Sequence, residues 1–135
     1  MANRILKKTV ALRDLIDENG HVVIPEGTLK IPSRAFSDCE NLKSVALPTG
    51  LTSIENGAFN GCTGLTSIEL PGSLTNIGLG AFLHCTGLTS IVIPASVTTI
   101  DSIAFAECSA LANIDVAPGN PNFRSEGNCL LSKDG

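Results

Sequence analysis

Tryptophan and tyrosine are absent from this chain, and methionine occurs once in 135 residues. Five phenylalanines are the only aromatics, so the interior must be mainly aliphatic and a surface rich in aromatic anchors is excluded. Charge is scarce as well: between Thr49 and Ile100 the only Asp, Glu, Lys or Arg residues are Glu55 and Glu69. Ser, Thr, Asn and Gly must cover that stretch. The formal net charge is −4; Arg4, Lys7, Lys8 and Arg13 against Asp14, Asp17 and Glu18 give residues 1–20 a balance of +1, which leaves −5 on the remainder. Without clustered Lys and Arg, that remainder cannot track a phosphate backbone, and no nucleic-acid partner is expected. No run of eighteen apolar residues occurs, so no membrane insertion is expected. The basic start at Arg4, Lys7 and Lys8 is not followed by a signal-peptide core, because Arg13 and Asp14 interrupt it.

What is present is a period. Phe36, Phe59, Phe82 and Phe105 are each 23 residues from the next. Cys39, Cys62, Cys85 and Cys108 keep the same step, as do Leu42, Leu65, Leu88 and Leu111, and Val45, Ile68, Ile91 and Ile114. Pro25, Pro48, Pro71 and Pro94 repeat with them. A period in the twenties with regularly spaced Leu and Ile marks a leucine-rich-repeat solenoid, in which each coil buries its apolar face only against its neighbours.

One coil reads as follows. Leu65-Thr66-Ser67-Ile68-Glu69-Leu70 ends in the alternation of a half-buried strand, with Ile68 and Leu70 inward and Ser67 and Glu69 outward. Pro71-Gly72 stops the strand, since Pro cannot donate to a ladder. Leu74 to Ile77 forms a second extended or tightly turned edge. Ala81, Phe82 and Cys85 have the spacing of one helical turn, which predicts a short helical or 3₁₀ segment with Phe82 as the core plug. Residues 22–25, 42–48, 88–94 and 111–116 supply equivalent strands, stacked at roughly 4.8 Å per coil. The expected fold is therefore α/β and β-rich: a right-handed solenoid with one parallel sheet of about five strands and short helical or 3₁₀ turns.

The ends depart from the period. Residues 1–21 form an N-terminal capping segment, with a helical stretch expected over 4–17 to cover the sheet edge; Arg13 stands there where Phe is due. Residues 22–117 are the solenoid. Residues 118–135 are an irregular C-terminal segment, opening with the turn-rich Pro118-Gly119-Asn120-Pro121-Asn122. The chain is expected to continue beyond it in the natural polypeptide.

The recurring pattern L-x-x-I-x-I-P-x-x-(L/V)-x-x-I-x-x-x-A-F-x-x-C-x-x-L resembles the BspA-like leucine-rich repeats, also called the Treponema pallidum type. Leu65, Ile68, Leu70, Pro71, Leu74, Ile77, Ala81, Phe82, Cys85 and Leu88 match it in one pass. Asn120-Pro121-Asn122-Phe123-x-Ser125-x-Gly127, then Leu130-Leu131-x-Lys133-Asp134-Gly135, looks like the hairpin insert found between repeat blocks of this family. The resemblance implies an extracellular or cell-surface protein of bacteria or some protists, associated with adhesion to host matrix proteins and other cells. It brings no catalytic residues. The absence of a leader in these residues leaves a cytoplasmic location open.

No C-x₂₋₄-C pair occurs, and His21 and His84 do not complete a set, so no metal or cofactor site is expected. Stacked cysteines fall within bridging range, but parallel Cβ vectors make poor disulfides, which favours Cys as a small buried hydrophobe. His84-Cys85 is no catalytic pair, since adjacent residues on a turn do not face one another. Gly78-Leu79-Gly80 starts a phosphate-loop pattern, but Leu83 replaces the third Gly. The outward strand residues are Ser44, Ser67, Ser90 and Asn113 in one row and Ala46, Glu69, Val92 and Asp115 in the next. They are the candidate binding face, because the extended sheet face is where solenoids present a surface. Leu79, Leu83 and Ile103 offer an alternative on the opposite side. The expected function is non-catalytic recognition of extracellular matrix or cell-surface proteins. The alternative is an inert spacer that displays other domains of a longer protein. Nothing in the pattern sets an oligomeric state.

Overall fold

A computed structural model of the chain describes residues 11–126 and 129–132. Its strands are β1 (His21–Val23), β2 (Lys30–Ile31), β3 (Ser44–Ala46), β4 (Ser53–Ile54), β5 (Asn76–Ile77), β6 (Ser90–Ile93), β7 (Thr99–Ile100), β8 (Asn113–Val116), β9 (Phe123–Glu126) and β10 (Cys129–Ser132). Every parallel pairing joins residues 23 apart, as in His21 with Ser44, Ser53 with Asn76 and Ile91 with Ile114. The sequence period is thus the coil of a β-rich parallel solenoid.

The solenoid carries two parallel ladders where one sheet was expected. β2, β4, β5 and β7 form an unbroken four-stranded ladder, built from the segment around Leu74 to Ile77 and its equivalents. The outer-face ladder is split into β1–β3 and β6–β8. The strand expected at residues 65–70 is not formed: this stretch has no ladder partner. Against β6 and β8 the third coil is the poorer in β-branched residues. β6 contributes Ile91, Val92 and Ile93 and β8 contributes Ile114 and Val116, whereas the third coil has only Ile68 among Ser67, Glu69 and Leu70. Glu is poor in strands, and β-branched side chains pack best on a pleated surface.

The helical or 3₁₀ segment expected around Ala81 to Cys85 is instead a run of overlapping tight turns. Successive N–H groups of Ala81, Leu83 and Cys85 donate to the carbonyls of Gly78, Gly80 and Phe82 at 3.1–3.2 Å. Helix cannot propagate there because Gly80 and His84 lie in the left-handed region, with φ of 63° and 60°. Gly57 and Arg34 match Gly80 one and two coils earlier, and Asp38, Gly61 and Glu107 match His84. Ile103, next on the Gly80 row, stays out of that region, as a β-branched residue does. These turns form a further inter-coil seam: the N–H groups of Phe36, Phe59 and Phe82 donate to Ala58, Ala81 and Ala104 at 2.7–2.8 Å.

Phe36, Phe59 and Phe82 are fully buried. Their rings and that of Phe105 stack in one column, with centroids 5.3–5.4 Å apart and planes within 7° of parallel. Leu42, Leu65, Leu88, Leu51, Leu74 and Val97 join them in the core without exposure. At the N-terminal end, a single 3₁₀ turn, Leu12–Leu15, replaces the expected longer helix; residues 4–10 of that expectation lie outside the described residues. Leu12 and Ile16 pack on the core. Arg13 turns its off-pattern identity to use: its guanidinium donates to the carbonyls of Ala35 (3.2 Å) and Arg34 (2.9 Å) at the open coil edge. Asp17 accepts the N–H groups of His21 and Asn19, which hold its carboxyl below the usual range, the His21 bond contributing most.

At the other end, β9 and β10 make an antiparallel hairpin. Asn120 is buried to 1% exposure where Leu51, Leu74 and Val97 stand in earlier coils. Its Nδ2 donates to the carbonyls of Pro94 (3.0 Å) and Val97 (3.3 Å), and its Oδ1 accepts the N–H groups of Asn122 (2.8 Å) and Phe123 (3.0 Å). All four hydrogen-bonding sites of the amide are used, the condition under which a buried Asn is tolerated. Beside the hairpin, a cavity of about 670 Å³ opens where the phenylalanine column ends, lined in part by Phe105, Cys108, Leu111, Phe123 and Leu130.

Candidate recognition face

The outward residues of the outer-face strands are the first place to look for function. Strand alternation puts Val22, Val45, Ile68, Ile91 and Ile114 inside and turns their neighbours out. Ser67, Ser90, Asn113, Ala46, Glu69, Val92 and Asp115 are exposed, and Ser44 is half-buried. Ser44 is covered because His21 Nδ1 lies 2.6 Å from its Oγ. His21 and Val23, the latter 60% exposed, extend the two rows by one coil. The sequence reading missed both, although each sits 23 residues before a member it named.

The break in the ladder lies inside this face. Across residues 67–70 no backbone hydrogen bond reaches either neighbouring coil; the nearest is from Thr89 N–H to Thr66 carbonyl, 3.1 Å. Between this unpaired stretch and β6 runs a groove of about 480 Å³. Ser67, Ile68, Glu69, Leu70, Ser90, Ile91, Val92, Pro94 and Ala117 are among its walls. Of the residues named from the sequence, the groove thus brings together Ser67, Glu69, Ser90 and Val92. Ser44, Ala46, Asn113 and Asp115 lie on flanking coils. Val92, 53% exposed, is its apolar lip.

The electrostatics of the face are one-sided. From residue 44 to residue 123 there is no Lys or Arg, while Glu55, Glu69, Asp101, Glu107 and Asp115 carry negative charge. The one ion pair among the described residues, Arg124 with Glu126, lies in the hairpin. Glu55 is engaged by the Ser53 hydroxyl, which donates to its carboxylate. Neither Glu69 nor Asp115 accepts a side-chain hydrogen bond among the described residues.

On the opposite side, a depression of about 380 Å³ is lined by Arg34, Asn56, Leu79, Leu83 and Ile103 among others. Leu79 and Ile103 are 44% and 40% exposed. Asn56 is committed structurally, its Oδ1 accepting the Leu79 N–H at 2.9 Å.

The cysteine ladder is structural in its geometry. Cys39, Cys62 and Cys85 are buried free thiols, and Cys108 is half-buried. Cys62, Cys85 and Cys108 donate to the carbonyls of Phe36, Phe59 and Phe82 at 3.0–3.1 Å. Burial pushes the Cys62 thiol up to about 12 and raises Cys39, Cys85 and Cys108 as well. A nucleophilic cysteine needs the opposite shift. His84 is exposed on its turn while Cys85 is fully buried, so the two do not act on one substrate. The thiol of Cys129 lies outside the described residues. Among the described residues no group of three His, Cys, Asp or Glu is arranged to hold a metal ion.

Period, ladders and phenylalanine column define a leucine-rich-repeat solenoid. The BspA-type leucine-rich repeat region matches residues 18–127 in six copies, and the chain belongs to that family. Among solved structures, a leucine-rich repeat protein from Eubacterium ventriosum shares 29% identity and a TM-score of 0.66, over 84% of this chain and 36% of that one. The pneumococcal vaccine antigen PcpA shares 30% identity and a TM-score of 0.66, over 85% and 35%. A leucine-rich cell surface protein from Faecalibacterium prausnitzii shares 33% identity and a TM-score of 0.55, over 74% and 32%. The chain therefore spans about a third of the length of each of these proteins. No curated protein matches it. Among the described residues, no helix is long and apolar enough to cross a membrane.

Proposed function

We propose that the chain is a non-catalytic protein-recognition module of an adhesin-like protein, displayed at the cell surface or secreted. The observation that carries this reading is the groove between the third and fourth coils, an apolar cleft set in an exposed strand face. A cleft with apolar walls and a few polar groups is a form that binding sites take. The surface protein and the vaccine antigen among the structural relatives favour the location. Partners are extracellular matrix or cell-surface proteins. A short face without aromatic anchors binds weakly alone, and adhesion then needs several copies or more repeats acting together.

The test is a multimerised form of the chain on immobilised matrix proteins, beside a Glu69→Arg/Val92→Arg double variant. The reading expects capture by the first and little by the second. Equal capture by both puts the site elsewhere, with the Leu79–Ile103 side next in line. No capture by either replaces recognition with the spacer reading.

A further inference from the structure

We infer that the segment this face receives is a basic, extended stretch of polypeptide, with an aliphatic side chain in the groove and a Lys or Arg on each side of it. The inference rests on the recognition reading and names the chemistry of its partner.

Three consecutive members of one outward row carry it: Glu69, Val92 and Asp115. Val92 pairs in register with Asp115 across β6 and β8, and Glu69 is one 23-residue step before Val92. An exposed apolar lip thus stands between two carboxylates, and its inner wall is the groove. Two coil steps, roughly 10 Å, separate the acids. That is far too wide for them to chelate one cation at about 2.3–2.6 Å from each oxygen. It suits an extended chain that crosses the coils, in which alternate residues on one side are about 7 Å apart. A pattern Lys-x-Leu-x-Lys puts the Leu over Val92 and leaves each ammonium within reach of one carboxylate on a flexible stem.

Charge selects the sign of the partner. No Lys or Arg lies between residues 44 and 123 to neutralise Glu69 or Asp115 from within the array. A polyanion is repelled, and a neutral chain leaves both carboxylates to water. A basic segment gains two exposed ion pairs, each contributing up to about fivefold in affinity at low salt. Such a gain falls as salt screens it. The apolar contact does not fall with salt, so the two parts separate experimentally.

The experiment uses the full chain and fluorescein-labelled peptides in fluorescence anisotropy. One peptide carries Lys-Ser-Leu-Ser-Lys within a Gly/Ser frame, a second replaces both Lys by Glu, and a third replaces Leu by Ser. The expected order is the Lys/Leu peptide first, at least about tenfold ahead of the Glu peptide, its advantage shrinking as salt rises past about 0.3 M. Glu69→Gln/Asp115→Asn should lower affinity for the Lys/Leu peptide several-fold and flatten its salt dependence. Val92→Ser should abolish the preference for Leu over Ser and leave the salt dependence in place. These are surface changes, and unaltered thermal unfolding confirms that the fold is kept. Equal binding of the Lys and Glu peptides overturns the inference, as does a Gln/Asn variant with wild-type affinity and salt slope. If matrix proteins are captured through the Glu69/Val92 face but the Lys/Leu peptide does not bind, recognition stands and the basic partner falls. If neither is bound, both fall.

Discussion

The two backbone ladders are built on the same 23-residue register, and one runs through four coils while the other stops in the middle. The continuous ladder is the narrower, with two residues per strand. Side chains bind it across coils: the hydroxyls of Thr52, Thr75 and Thr98 each donate to the carbonyl 23 residues back, at 3.0–3.2 Å. Asn76 joins its neighbours in both directions, its Nδ2 donating to Ser53 Oγ at 3.1 Å and its Oδ1 accepting from Thr99 Oγ1 at 2.5 Å. The outer-face ladder has longer strands and fewer such links. Side-chain bonds join His21 to Ser44 and Thr89 to the Thr66 carbonyl, and none holds residues 67–70. Where β-branched content drops, nothing else keeps the strands together, and a groove opens. Small polar side chains in register stabilise a ladder that propensity alone does not secure.

The largest expected effect treats both ladders alike. Phe82→Ala removes a fully buried ring stacked on Phe59 and Phe105. It should cost about 3–5 kcal/mol in urea unfolding and loosen the coils on both sides. A loss confined to one ladder in hydrogen exchange would show that the ladders fold separately.

Alkaline pH probes the seam between them. The Cys62 thiol is raised from 9.0 to about 12 by burial, and those of Cys85 and Cys108 are raised too. Above pH 9 the unfolded chain loses these protons while the folded chain keeps them. Stability is therefore full below pH 9 and falls as pH rises towards 12, by about 1.4 kcal/mol per pH unit for each thiol that titrates only on unfolding. Urea midpoints at pH 8 and pH 10.5 measure this, with the native thiols of Cys62 and Cys85 unlabelled at pH 8. Unchanged midpoints, or rapid labelling of both, would mean that the cysteine column is open to water.

The third effect is confined to the continuous ladder. Asn76→Ala removes the side chain that joins three coils, and should cost about 1–2 kcal/mol by the worth of two hydrogen bonds. If the amides of Asn76, Gly78 and Asp101, which donate across this ladder, keep their exchange protection, the side-chain links are not what make this ladder continuous.

The smallest effect repairs the broken ladder. Glu69→Thr places a β-branched residue beside Ile68 and should stabilise the chain by up to about 1 kcal/mol, the span of strand propensities. It should also slow exchange of the Ile68 and Leu70 amides, which in the wild type should exchange faster than those of Ile91 and Ile93, paired to β8. Glu69→Ala, by contrast, stays within about 0.5 kcal/mol of wild type, as for a surface site. If Thr and Ala behave alike, composition does not explain the gap.

Much of this was legible in the residues. The phenylalanine, cysteine and leucine columns all point inward because a residue type repeated at one place in each coil must meet the same surroundings. The second ladder was less legible: a Leu-x-x-Ile spacing does not distinguish an extended edge from a turn. Left-handed positions were hidden wherever Arg34, Asp38, His84 or Glu107 stands in place of Gly. Asn120 was the clearest miss. Extending the Leu51, Leu74 and Val97 column by one step lands on it, but a polar residue there read as the end of the pattern, when its amide fills the same buried place.

The sequence by itself determined the period, the parallel stacking, the identity of the core and which side chains face out, since each is a property of a column that every coil repeats. The tertiary structure decided where the ladders bond and where they part, which outward residues share a groove, and how Arg13 and Asn120 tie the flanking segments to the coils. Those outcomes depend on pairs of neighbouring coils, because a hydrogen bond needs both partners in place at about 3 Å. A repeat can specify both partners and still leave one pair apart.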